Sequence, residues 1–117
     1  MSDKSILDLS RLQEAFDDDV LGIADLLEMA LATGAKHVRT LRDGIEQNDI
    51  TIVSRAAHGI KGSASNVGAG NVTKVATAIE DRARAANWDG ILPLADELES
   101  AYAQLRESVA AYRAEVT

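Results

Sequence analysis

The stretch "RAAHGIKGSASNVG", residues 55–68, sits in a chain whose apolar residues recur every three or four positions, yet it carries Gly59, Gly62 and Gly68 around His58, one of only two histidines. A glycine inside a helix costs about 0.8–1 kcal/mol relative to alanine, so glycines this close together must offer something else. With about 100° per residue and Val53 as origin, Ala57, Ile60, Ala64 and Val67 all fall within about 40° and mark the buried stripe. His58 falls near about 140°, in company with Lys61 (about 80°), Ser65 (about 120°), Thr51 (about 160°) and Gly62 (about 180°), a face turned to the bundle edge or to solvent. Gly62 lies one turn beyond His58 and removes the side chain that would overhang the imidazole, and Gly59 adds bare backbone beside it. Lys61, three residues on, can bring an ammonium to whatever the ring carries. An uncovered imidazole with a cation alongside suits a group that holds an anion while another protein approaches.

The same periodicity extends in both directions. Upstream, Val20, Ile23, Leu27, Leu31, Val38, Leu41 and Ile45 predict one long helix over 18–47, with Gly34 its weak point. Asp17, Asp18 and Asp19 ahead of it read as an N-cap with acids favoured by the helix dipole. A short amphipathic helix over 9–16 precedes them. "QND" at 47–49 is a turn with a fresh cap, and the histidine helix spans 49–67. Gly68 to Gly70 breaks the chain, after which Val72, Val75, Ala76, Ile79, Ala83 and Ala86 predict a helix over 70–87. "NWDG" at 87–90 is a further turn, and Pro93 fits the first turn of a last helix over 90–116. Its stripe, Ile91, Leu94, Leu98, Tyr102, Leu105, Val109, Tyr112 and Val116, demands an apolar partner along its length. The expected fold is all-α: one domain over 1–117, an antiparallel up-down-up-down four-helix bundle with a short additional N-terminal helix as a lid.

Composition removes several functional classes. The 117 residues include no cysteine, which excludes a disulfide framework or a thiolate metal site. Twelve basic residues are scattered among nineteen acidic ones for a net charge of −7, so neither nucleic acid nor an anionic membrane is an expected partner. The opening "MSDKSILDLS" has no apolar core of a signal peptide, and no apolar run approaches the ~18 residues of a membrane span. A cytoplasmic monomer is expected. A metal site in the bundle core would need inward-facing Glu-x-x-His pairs, which the sequence lacks.

The motif itself resembles the phosphoacceptor signature of histidine-containing phosphotransfer (HPt) domains. That pattern runs His, any residue, Ile or Leu, Lys, Gly, two small residues, two of any kind, an apolar residue and Gly. It is matched here by His58, Ile60, Lys61, Gly62, Ser63, Ala64, Val67 and Gly68. Family members are four-helix bundles with a short preceding helix, often begun by an acidic segment like Phe16 to Asp19. The resemblance implies that His58 accepts a phosphoryl group from a receiver phospho-aspartate or a sensor or hybrid histidine kinase, and passes it to a response-regulator receiver aspartate. It implies no autophosphorylation, and no cofactor or metal of the chain's own, with Mg2+ expected on the partner receiver. Lys61 would offset phosphoryl charge and Ser65 could donate a hydroxyl hydrogen bond. On the following helix a carboxylate or amide often takes the proton of the other ring nitrogen, a position that falls on Glu80. Spacing agrees: His58 lies ten residues before Gly68 and Glu80 twelve after it, depths of about 15 and about 18 Å from the turn.

Plainer readings accompany each of these. Glu80 can be a charged residue flanking a core stripe, and Ser65 a small residue that lets helices approach. Thr51, Ser54 and Arg55 line a docking face or simply a solvated one. His37, with no glycine or lysine arranged as around His58, reads as a solvated residue of the long helix. Two other classes stay in view. The phosphoacceptor region of a histidine kinase also presents a helical histidine, but typically adds an acid and a kinking proline where this chain has Gly59 and Ser63. A bundle with no chemistry is the fallback.

Overall fold

The computed structural model describes residues 3–117; Met1 and Ser2, which open the expected domain, lie outside the described residues. Among the described residues there are five helices and no strand: α1 Ser10–Ala15, α2 Val20–Glu46, α3 Ile50–Asn66, α4 Gly70–Arg84 and α5 Ile91–Val116. Aspartates cap the starts of α2 and α3. The Asp19 carboxylate accepts from the Gly22 N–H at 3.1 Å, and Asp49 accepts from the N–H groups of Thr51 and Ile52 at 3.1 and 3.2 Å. Pro93 occupies the first turn of α5, where a missing N–H breaks no helical bond.

The first four helices end in a left-handed residue: Asp17, Asn48, Gly68 and Ala86, with φ of 51°, 58°, 80° and 54°. In each the next N–H folds back to a carbonyl in the last turn, as in Ala69 to Ala64 at 2.9 Å and Asn87 to Arg82 at 2.9 Å, which satisfies an otherwise orphaned acceptor. At α4 this closure comes early. The helix stops at Arg84, not at 87, and Ala86 leaves the apolar stripe for an exposed turn. Asp17 and Asp18 likewise form the turn between α1 and α2, leaving Asp19 alone as the cap.

α2 packs on α3, α3 on α4, α4 on α5, and α5 returns beside α2, an up-down-up-down ring. Its core is drawn from all four stripes: Ile23, Leu27, Leu41, Val53, Ile60, Val72, Ile79, Ile91 and Leu98 are all essentially inaccessible, each contributing about 1.5–3 kcal/mol by burial. Gly34 does not interrupt α2; a Cβ there would run into the Tyr102 ring, so the glycine admits α5. α2 and α5, with 27 and 26 residues, outrun α3 and α4, with 17 and 15, and the molecule measures 43 × 22 × 20 Å. Val20, expected in the α2 stripe, is 41% exposed in the first turn of α2. The N-terminal segment covers the α3–α4 turn: Asn71 N–H donates to the Ser5 carbonyl at 2.7 Å, Asp8 N–H donates to that of Gly68 at 2.9 Å, and Leu7 and Leu12 are buried. No helix among the described residues is long and apolar enough to cross a membrane.

Candidate functional site

The antiparallel pairing of α3 and α4 around Gly68 brings His58 and Glu80 into contact. His58 Nδ1 lies 2.7 Å from Glu80 Oε2, with the histidine side chain 64% exposed and the glutamate 1%. Glu80 is the buried charged residue of the described chain, and it is fully partnered. Lys61 Nζ sits 2.7 Å from Oε1. Arg84, one turn along α4, places Nη2 3.0 Å from Oε2, the oxygen that also meets the histidine. Burial pushes the Glu80 carboxyl up, but the hydrogen bonds from Lys61 and His58 and the charge of Arg84 outweigh it and hold the group below the usual glutamate range.

The chemical consequence follows from hydrogen-bond inventory. An ionised carboxylate can only accept, so Nδ1 must be the donor. In the neutral ring the lone pair then belongs to Nε2, the nitrogen on the far side from Glu80. One turn along the helix the space is open: a Cβ added at Gly62 would meet no atom within 4 Å. The arrangement is a nucleophilic nitrogen, fixed in tautomer, on an exposed ring. An exposed group of this kind is reached by another macromolecule more readily than it encloses a small substrate.

The other residues singled out in the sequence fall less uniformly. Gly59, expected to keep the ring approachable, serves the seam with α2. A Cβ there would lie 2.7 Å from Cε1 of His37, whose ring fills the space. His37 is accordingly half-buried, not a solvated residue. Ser65 donates its hydroxyl to the Gly62 carbonyl at 3.1 Å within its own helix. Lys61 is occupied by Glu80. Thr51 and Arg55 are exposed and Ser54 half-buried on the same helix. Arg84 escaped the sequence reading, although its signal was present: once Glu80 is placed, a residue four further along a helix stands beside it.

Comparison with curated proteins by sequence found no match. In the solved structures the chain is similar to histidine-containing phosphotransfer protein B from Pseudomonas aeruginosa PAO1, with a TM-score of 0.85 and 25% identity over 94% of this chain and 96% of that one. A family model described as "Hpt domain" matches residues 25–108, which include α3, α4 and both histidines. On that match and that architecture, the chain belongs to the Hpt domain family and has a histidine phosphotransfer role in two-component phosphorelays.

Proposed function

We propose that His58 is the phosphoryl carrier, loaded from a receiver phospho-aspartate or by a sensor or hybrid histidine kinase and unloaded onto a response-regulator receiver. The observation that supports it best is the 2.7 Å contact between Nδ1 and a buried, ionised Glu80, opposite a ring edge left open by Gly62. The Nε2 lone pair attacks the phosphorus of the aspartyl phosphate. The P–N bond forms as the bond to the aspartyl oxygen breaks, and the aspartate leaves as carboxylate. The ring keeps its Nδ1 proton and gains positive charge, which faces Glu80 and is stabilised there. Attack by a second receiver's carboxylate reverses each bond change and returns neutral imidazole.

In this reading the protein carries the group without transferring it from nucleotide, and Mg2+ belongs to the partner receiver. Lys61 steadies the phosphoryl oxygens once they are present, moving from the glutamate it holds in the free protein. Ser65, on the same face of α3, would add a hydroxyl only by leaving the Gly62 carbonyl it bonds in the free protein. Thr51, Ser54 and Arg55 take part in docking. The partner is a protein, not nucleic acid or membrane, and the carrier acts as a monomer in the cytoplasm.

The test is label transfer from a phosphorylated receiver, followed by intact-mass analysis and site mapping. Wild type takes up one phosphoryl group of acid-labile character on His58, and His58→Gln takes up none while keeping its helical circular dichroism. Equal uptake by the variant, or label on His37, would refute the assignment.

A further inference from the structure

Charge is distributed unevenly over this bundle. α3 and α4 carry five basic side chains, Arg55, Lys61, Lys74, Arg82 and Arg84, against two acidic ones, Glu80 and Asp81. The other seven of the twelve basic residues and seventeen of the nineteen acidic ones lie elsewhere, so a chain of net charge −7 divides into +3 on these two helices and −10 on the rest. α2 and α5, on the opposite side of the ring, hold nine acids and five bases. His58 lies inside the positive part. Counted from Gly68 at 1.5 Å per residue, it stands at a depth of about 15 Å, between Lys74 at about 9 Å and Arg55 and Arg84 at about 20 and about 24 Å. Lys61 and Arg84 are held on Glu80. Arg55 and Lys74 are exposed and pair with no acid among the described residues. Of the two acids on these helices Glu80 is buried, which leaves Asp81 as the exposed one.

We propose that the exposed side of α3 and α4 is a positive docking face, with Arg55 and Lys74 as its free cations, that draws an acidic receiver surface onto His58, while the negative remainder of the chain disfavours encounters from other directions. The proposal rests on the receiver as partner. A receiver that loads His58 brings an aspartyl phosphate, with up to about two negative charges, among the carboxylates that hold its Mg2+. Such a surface is attracted by Arg55 and Lys74 and repelled by the acids of α2 and α5, so charge selects the orientation before short-range contacts form. These two cations serve the approach. The transfer step itself is left to the groups around the ring.

The field is measured on the full chain alone. Relaxation of backbone amide protons by an anionic nitroxide, relative to a cationic one, should be stronger over α3 and α4 than over α2 and α5, and Arg55→Glu with Lys74→Glu should remove the contrast. Docking is measured by stopped-flow association with the phosphorylated receiver that loads His58, using chain in a His58→Gln background so that binding is read without transfer. At an ionic strength of about 0.01 M, where charges act over about 30 Å, Arg55→Glu with Lys74→Glu should slow association about tenfold. At about 1 M the two rates should agree within about twofold. Arg39→Glu with Arg106→Glu makes the same change in net charge on α2 and α5, at exposed residues, and should slow association less than about threefold. Circular dichroism verifies that both double variants keep their helices. Equal slowing by the two would reduce the effect to net charge, and an unchanged rate in the α3–α4 variant would remove it; either result, with His58 still taking label, overturns the directed face alone. A chain that takes label from no receiver would sink the carrier reading, and the docking partner with it, whatever the nitroxides show.

Discussion

Two regions of this molecule gather several charges around one, and they are built inside out from each other. Where α3 meets α4, a buried carboxylate collects three donors, His58, Lys61 and Arg84. Between α2 and α5 an arginine collects two carboxylates, and does so twice: Arg42 with Asp96 and Glu99, and Arg113 with Asp25 and Glu28. The acids in the second arrangement are 52–71% exposed. Unit charges 4 Å apart interact by about 1 kcal/mol in water and about 4 kcal/mol at an effective dielectric constant of 20. The exposed clamps therefore set how the long helices lie against each other at little energetic gain. The buried carboxylate is the one whose loss both the fold and the ring would register.

The largest expected effect in this contrast is that of Glu80→Ala. It removes the acceptor for three donors and should cost about 1–3 kcal/mol, since Lys61 and Arg84 can turn to water. Urea unfolding measures it, and a loss no greater than that of the exposed clamps would erase the distinction between the two regions. Acidification should come next. The folded-state Glu80 carboxyl is depressed, so the stability it adds is fully present above the ordinary glutamate range and is lost as pH falls through the depressed value. The stability difference between wild type and Glu80→Gln should shrink over that acid range and stay constant at neutral pH; a difference that grew on acidification would reverse the sign. Smallest is Arg42→Ala, expected to cost less than about 1 kcal/mol, and much of that should vanish in about 1 M salt, where the screening length is about 3 Å. Arg113→Ala should behave in the same direction. The Glu80→Ala loss, being largely shielded from solvent, should respond less to salt.

Much of this architecture can be read without coordinates because it depends on local rules. The apolar stripes of α3 and α5 are buried along most of their length, and Asp19 and Asp49 cap the helices they precede. The contact of His58 with Glu80 is legible for a similar reason, since an antiparallel pair with a known turn fixes which depths face each other. What escapes a linear reading depends on where a neighbouring element stops. Val20 has the spacing of a core residue but sits in the first turn of a helix that outlasts α3 and α4. Ala86 also has the spacing, but α4 closes two residues before it, with an alanine in a backbone region that usually favours glycine. Gly59 and His37 share a seam between helices that no one-dimensional pattern pairs. Gly59 and Gly62 stand three residues apart on one helix, yet the first is filled by a ring and the second faces empty space.

That empty space over Gly62 bears on how long a message would last. In the proposed carrier a receiver would reach the ring across this gap, and water would have the same access. A phosphoryl group on Nε2 would then be guarded by the slowness of its own hydrolysis and not by enclosure, so the fidelity of the relay becomes a race between encounter and leakage. In such a design the concentration and affinity of the receivers, not the carrier's architecture, set the fraction of signal that arrives.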